Sequence, residues 1–378
     1  MKTKAIILTI LIYSFSYGQN ITDLYNNHNY QELVEFGTET KKLTPEELYM
    51  VGFSYFQLEN DNKAIEFYDK SIKAGYDKGS VYFYKGVSFF YLKNYEEALK
   101  QNDIALQKEP TNQEFMNQKG QIYRLQGKED KALEYFEQAT KLPNTHGESF
   151  FWVAYIYHGK EDFKKALSLY YIALDKIPQQ SSYYQTTLES IGQLEYSYSK
   201  EYLKSANAYS QAIQIDKENY GLYYKLMKSY NAAKEYTLAN NAFDIVKDAF
   251  EKGKLPQEDM EIKTIAVAQF EWNGQTATIL KSLIEPKESL DISYKVFLIN
   301  KEGDKVERRF VVEKTIQLDK NGAKHLLCEQ DNKTGDHITY PYGWSTDDIP
   351  LDDLEKAVKL VLDGKMKYGA KSNFSKKK

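Results

Sequence analysis

The sequence predicts an α-solenoid of paired helices followed by a small α+β domain, an antiparallel meander sheet plus a C-terminal helix. Three observations carry this. Small and aromatic residues recur at a fixed 34-residue step through the first half of the chain. Beyond Pro256 the apolar spacing changes from helical to alternating, with turn-forming dipeptides between the alternating runs. A last stretch, with Leu351, Leu354, Val358 and Val361 on one side, returns to helical spacing and ends at Gly364.

The step is seen in four series. Gly52, Gly86, Gly120 and Ala154 stand 34 apart, as do Ala64, Ala98, Ala132 and Ala166. Ser71, Ala105, Ala139 and Ala173 keep the same interval, and Tyr55, Phe89, Tyr123 and Tyr157 are the matching aromatics. Within one unit, Gly79 to Asn112, the chain reads as two helices with a break near Lys93-Asn94 and a stop at Pro110. Gly86 and Phe89 share a face of the first helix, and Ala98 and Ala105 share a face of the second. Small residues there let two helices approach to about 8–10 Å, and a neighbouring aromatic fills the wedge. A helix pair cannot cover its own apolar side, so successive units must stack.

This pattern resembles the tetratricopeptide repeat family: a small residue and an aromatic on the first helix, then Ala, an aromatic and Ala on the second, often closed by Pro. Gly86, Phe89, Ala98, Ala105 and Pro110 fill those places, while Asn102 stands where the family has its second aromatic. Tyr68, Phe136 and Tyr170 keep the rule. A fifth unit has Tyr202, Ser205, Tyr209 and Ala212, but Ser205 follows Ala166 by 39 residues, which places an insertion around Ser181–Lys200. A sixth has Tyr230, Tyr236, Ala239, Phe243 and Val246, with Met227 in the small-residue place. The resemblance therefore implies an array over residues 21–255, six repeats with an N-terminal half unit.

Residues 1–18 have the layout of a secretory signal peptide. Lys2 and Lys4 precede the apolar run Ala5–Ile12, which is well short of the roughly 20 residues needed to span a bilayer, and cleavage is expected after Gly18. The expected mature chain is periplasmic or secreted, without an integral membrane segment, and no Cys near the cut offers a lipid attachment point. Ile21–Lys42 should hold two short helices that break at Asn26–Asn29. Thr44-Pro45-Glu46-Glu47 then begins the first full unit, with Thr as N-cap, Pro at the first helical position and carboxylates near the positive helix end.

The domain at 257–364 should contain strands at Thr264–Trp272, Thr276–Leu283, Lys324–Gln330 and His337–Tyr340. Between these lie two alternating runs, Leu290, Ile292, Tyr294, Val296 and Leu298, then Val306, Phe310, Val312, Ile316 and Leu318. Asn273-Gly274, Glu302-Gly303, Asn321-Gly322 and Thr334-Gly335 supply hairpin turns. Asp347-Asp348-Ile349-Pro350 caps the last helix, which covers one sheet face, and residues 365–378 form a basic flexible tail. Because a solenoid end must be covered, the sheet domain is expected to dock on the last unit near Ile245, Val246 and Phe250.

Composition excludes several classes of function. A net charge of −4 leaves no basic footprint for nucleic acid. The single cysteine, Cys328, rules out an internal disulfide and a multi-cysteine metal site. His325, Cys328 and His337 make a poor metal set, because residues three apart in a strand point to opposite faces. No nucleophile elbow, zinc-helix motif, phosphate loop or dinucleotide fingerprint occurs, so a non-enzymatic protein without cofactors is expected.

The family resemblance implies that first-helix residues line a concave groove: Tyr49, Phe53, Phe56, Phe83, Val87, Phe90, Tyr91, Asn117, Gln121, Arg124, Phe151, Tyr155, His158 and Tyr224. Their aromatic character suits a protein or peptide partner, unless tight winding turns the same rings against neighbouring units. The family's Lys–Asn carboxylate clamp is disfavoured, since Tyr49 and Phe53, Phe83 and Val87, and Asn117 and Gln121 occupy its places. The alternative puts recognition in the C-terminal domain, with Trp272, Tyr340, Tyr342 and Trp344 as a platform for glycan or envelope polymer. Helix-on-sheet contact accounts for those four residues equally well. Nothing in the sequence sets an oligomeric state.

Overall fold

The computed structural model describes residues 20–40, 42–143, 145–255, 264–282, 292–303, 305–314, 322–331, 333, 336–346, 349–367 and 370–372. The expected leader, the residues Leu290, Ile316 and Leu318, the Asp347-Asp348 cap and residues 373–378 lie outside the described residues. The chain divides into two compact units, Met1–Tyr184 and Gln185–Lys378.

The first unit is a succession of helix pairs. α1 (Ile21–Asn26) and α2 (Tyr30–Glu39) form the half unit. Four full pairs follow: α3 (Pro45–Gln57) with α4 (Asp61–Lys73), α5 (Gly79–Tyr91) with α6 (Tyr95–Lys108), α7 (Gln113–Leu125) with α8 (Glu129–Thr140), and α9 (Gly147–Gly159) with α10 (Phe163–Lys176). α3 starts with a capping box: Glu47 N donates to Thr44 Oγ1 at 3.2 Å and Thr44 N to Glu47 Oε2 at 2.7 Å. The turn inside each pair holds one left-handed residue, Glu59, Lys93, Gly127 or Glu161, again 34 apart. The residue after it, Asn60, Asn94 or Asp162, caps the second helix through its side chain.

Small first-helix residues admit the second-helix ring as expected. A Cβ on Gly52 would lie 2.8 Å from the Tyr68 ring, and one on Gly120 would lie 2.6 Å from Phe136. The second pair differs because Asn102 replaces the ring. Above Gly86 lies the Ala98 carbonyl, 3.2 Å from a built Cβ. The buried Asn102 Nδ2 instead donates to Phe115 O at 3.1 Å and Gln118 Oε1 at 2.6 Å, tying this pair to the next. Lys85–Asp69 at 2.6 Å and Lys119–Asp103 at 2.5 Å repeat one inter-pair ion pair at the 34-residue step.

The unit boundary falls within α11 (Ser182–Leu194), and α12 (Tyr202–Ile215), α13 (Tyr220–Ala232) and α14 (Tyr236–Glu251) follow in the second unit. α11 runs into a π-helical turn, Glu195–Ser199, and closes at the left-handed Lys200. Gly192 to Ser205 is 13 residues, where Gly52 to Ala64 is 12, and a π turn takes up one added residue. The rest of the insertion precedes Gly192, and a Cβ there would still sit 2.8 Å from the Tyr209 ring.

The sheet follows: β1 (Thr264–Trp272), β2 (Gln275–Ser282), β3 (Ile292–Ile299), β4 (Val306–Lys314), β5 (His325–Gln330), β6 (His337–Trp344) and β7 (Ala370–Ser372), antiparallel and in chain order. α15 (Leu351–Leu362) lies between β6 and β7 in the chain. Registers Ile279↔Val296 and Val296↔Phe310 put a row of apolar side chains on one face. β6 runs four residues past the expected Tyr340, because pairing resumes beyond an irregularity that takes in Pro341, with Gly343 opposite Leu326 and Trp344 opposite His325. β7 pairs with β6 where a solvated tail was expected, Thr339 lying opposite Ala370.

One core serves both the last helices and the sheet. Tyr224 and Met227 of α13 and Phe243, Val246 and Ala249 of α14 cluster with Ile265, Val267, Ile279, Val296 and Phe310, and with Leu354 and Val358 of α15. Val246 and Phe250 make this contact as anticipated, whereas Ile245 is 40% exposed on another side of α14. Lys281 Nζ adds an edge contact, 2.8 Å from Asp244 Oδ1 and 3.2 Å from Asn240 Oδ1.

Candidate protein-binding face

Three rows of first-helix residues run through the first unit at the 34-residue step. Tyr49, Phe83, Asn117 and Phe151 form an inner row, and all four are buried. Tyr49 stacks on Tyr76 at 5.1 Å, Phe83 on Phe115 at 4.6 Å, and Phe151 lies 5.2 Å from Tyr183. Asn117 Oδ1 accepts from Ser149 Oγ at 2.8 Å, and that hydroxyl accepts from Gln113 Nε2 at 2.6 Å. The row is therefore inter-repeat core, the tight-winding outcome. Its rings leave water, which their size makes favourable.

The next rows, Phe53, Val87, Gln121, Tyr155 and then Phe56, Phe90, Arg124, His158, are half-buried apart from the exposed Tyr155. Phe53 meets Tyr84 edge-on at 4.9 Å, and Phe56 lies 5.8 Å from Tyr84 and 6.0 Å from Tyr91. Tyr91 is 61% exposed and Tyr155 46%. The face thus changes character along the array. Its first half is a cluster of rings. Its second half sets Arg124 over the Trp152 ring at 4.7 Å, with Nε donating to Gln121 Oε1 at 3.1 Å. His158 packs edge-on against Phe163 and Tyr170, and burial lowers its pKa, favouring the neutral ring.

Tyr84, Trp152 and Tyr183 also line this face and were not singled out from the sequence. A Tyr–Trp pair two units apart in the row Met50, Tyr84, Gln118, Trp152 was the available signal. Burial pushes the Tyr84 and Tyr183 hydroxyls up to about 12, with Glu114 and Glu148 adding to it, so both stay protonated. Tyr224 belongs to the second unit and is buried in the core shared with the sheet.

The C-terminal aromatics are held by α15 and the residue after its end. Trp272 Nε1 donates to Asp363 at 2.9 Å, Trp344 Nε1 to Asp353 at 2.8 Å and Tyr342 OH to Asp353 at 2.8 Å. Tyr340 OH donates to Glu329, which also takes a two-pronged bond from Arg308 at 2.6 and 2.8 Å. Cys328 and His337 both meet Glu313, with Cys328 Sγ donating to it at 3.5 Å. Among the described residues no group of three His, Cys, Asp or Glu is arranged to hold a metal ion, and no helix is long and apolar enough to cross a membrane.

A tetratricopeptide repeat model matches residues 48–74 and 113–146. No curated protein matches the chain in sequence. Among solved structures, the chain is similar to the C-terminal part of a tetratricopeptide repeat-containing protein from Cytophaga hutchinsonii, at 18% identity and TM-score 0.44, over 54% of this chain and 80% of that one. PilF of Pseudomonas aeruginosa gives 14% identity and TM-score 0.47 over 59% and 94%. YrrB, described as a repeat protein with an unusual peptide-binding site, gives 16% identity and TM-score 0.40 over 50% and 98%. With the 34-residue register, the ring-over-glycine contacts and the two matched segments together, the helical part of the chain is an array of tetratricopeptide repeats.

Proposed function

We propose that the chain is an exported, non-enzymatic scaffold that binds a protein or peptide on the first-helix face of its repeat array. The observation that carries this is the exposure of Tyr91 and Tyr155 beside the partly buried Phe53, Phe56 and Phe90. Large rings left in water on the first helices of two units, Tyr91 and Tyr155, form a surface whose covering by a partner is favourable. The N-terminal pattern of Lys2, Lys4 and the short apolar run supports export.

The test is affinity capture from an envelope extract with the mature chain, repeated with Tyr91→Ala and Tyr155→Ala combined. Both side chains are exposed, so the variant keeps its fold, checked by an unchanged melting temperature. Loss of the captured partners is expected, and an unchanged set would overturn the reading. N-terminal sequencing of the protein from its native host should begin at Gln19.

A further inference from the structure

We propose that Arg124 is the anchor for a carboxylate on an extended peptide segment of another protein. This rests on the reading of the array as a peptide-binding scaffold and names the chemistry of that peptide. Arg124 occupies the row Phe56, Phe90, Arg124, His158, whose other members carry no charge when His158 is neutral. Its guanidinium lies 4.7 Å over the Trp152 ring and 5.8 Å over that of Tyr155, and its Nε donates to Gln121 Oε1. These contacts hold the group against two rings and use one of its five N–H donors, leaving the four on its two Nη ends for a ligand.

Among the described residues no carboxylate lies within ion-pair distance of Arg124. Lys85, Lys108 and Lys119, also withdrawn from water, each hold an aspartate, Asp69, Asp77 and Asp103 respectively. The acidic side chains of the same face, Glu114 and Glu148, sit in the first turns of α7 and α9, whereas Arg124 is in the last turn of α7. Glu148 is bonded to Tyr183. A planar cation that is partly desolvated, stacked and unpaired has its natural complement in a carboxylate, which its fork can grip through two parallel bonds. Tyr155 beside it, and Phe90 and Tyr91 on the first helix of the preceding unit, offer rings for apolar side chains of the same peptide. The residue types of the family's lysine–asparagine clamp are absent here, so this anchor is a different group in a different row.

The experiment measures fluorescence anisotropy of short fluorescein-labelled peptides with the purified full chain. One Leu-, Phe- and Ser-containing background carries Asp, Asn or Lys at the same positions. The Asp peptides should bind about tenfold or more tightly than the Asn peptides, and the Lys peptides more weakly still. Arg124→Gln should erase the Asp-over-Asn preference, and Arg124→Lys should keep part of it. Equal binding of Asp and Asn peptides overturns the anchor and leaves the groove reading standing. A preference that survives Arg124→Gln also overturns it. Absence of binding by every peptide overturns the anchor and counts against the groove reading as well.

Discussion

Gly120 and Gly86 hold equivalent places in successive pairs but face different neighbours, a ring in one case and a backbone carbonyl in the other. Gly120→Ala forces the Phe136 ring aside and should lower stability by about 1–3 kcal/mol. Gly86→Ala meets looser surroundings and gains helix propensity, so its net effect should stay within about 1 kcal/mol. Urea melts of the two variants side by side check the difference, and equal losses would contradict it. Cys328 gives a second residue-scale expectation. Burial, with Glu313 beside it, pushes its thiol up to about 12, so it stays protonated and unreactive. Maleimide at neutral pH should label it only in denaturant. The spacing of Tyr49, Phe83 and Phe151 was legible in the sequence, but their burial was not. It is set by Tyr76, in the connection between α4 and α5, and by Phe115 and Tyr183 of other helices.

At the scale of single elements, sequence chemistry was most legible where a turn or cap is specific. β1 ends where Asn273-Gly274 begins, and α3 starts where Thr44-Pro45 dictates. The ends of β6 and the existence of β7 were not legible, since Pro341 and Gly343 punctuate the first and three residues carry no pattern for the second. The left-handed turn residues were also missed, because Lys and Glu do not advertise a positive φ as Gly127 does. They hold a conformation costing about 1–2 kcal/mol for a side-chain-bearing residue. Lys93→Gly should therefore raise the melting temperature. For α15, Asp353→Ala leaves the Trp344 indole N–H and the Tyr342 hydroxyl without their acceptor. It should cost about 1–3 kcal/mol, read as earlier loss of the near-ultraviolet tryptophan signal on heating.

For the whole molecule, the boundary between compact units falls inside the helical array, not at the junction of helices and sheet. Fragment 185–378 should fold cooperatively, whereas a fragment starting at residue 257 lacks α13 and α14 and exposes the face they cover. A well-dispersed amide spectrum from the shorter fragment would contradict this. Acid should loosen the same unit. Burial alone would raise the Glu329 carboxyl, but the Arg308 fork and the Tyr340 hydroxyl outweigh it and hold the group below its ordinary 4.5. Its stabilising contribution is present above that value and is lost as pH falls through the lowered one. Glu329→Gln should flatten the melting temperature against pH in that range. Finally, β1–β2, β3–β4 and β5–β6 can assemble by short loop closures, whereas β6 and β7 are joined through α15. Seating α15 is different in kind, since the Trp272–Asp363 bond spans 91 residues of chain. Closure entropy must be met before such a contact forms. Contacts inside a hairpin, and the Trp344–Asp353 bond nine residues apart, are therefore expected to form before the Trp272–Asp363 bond does.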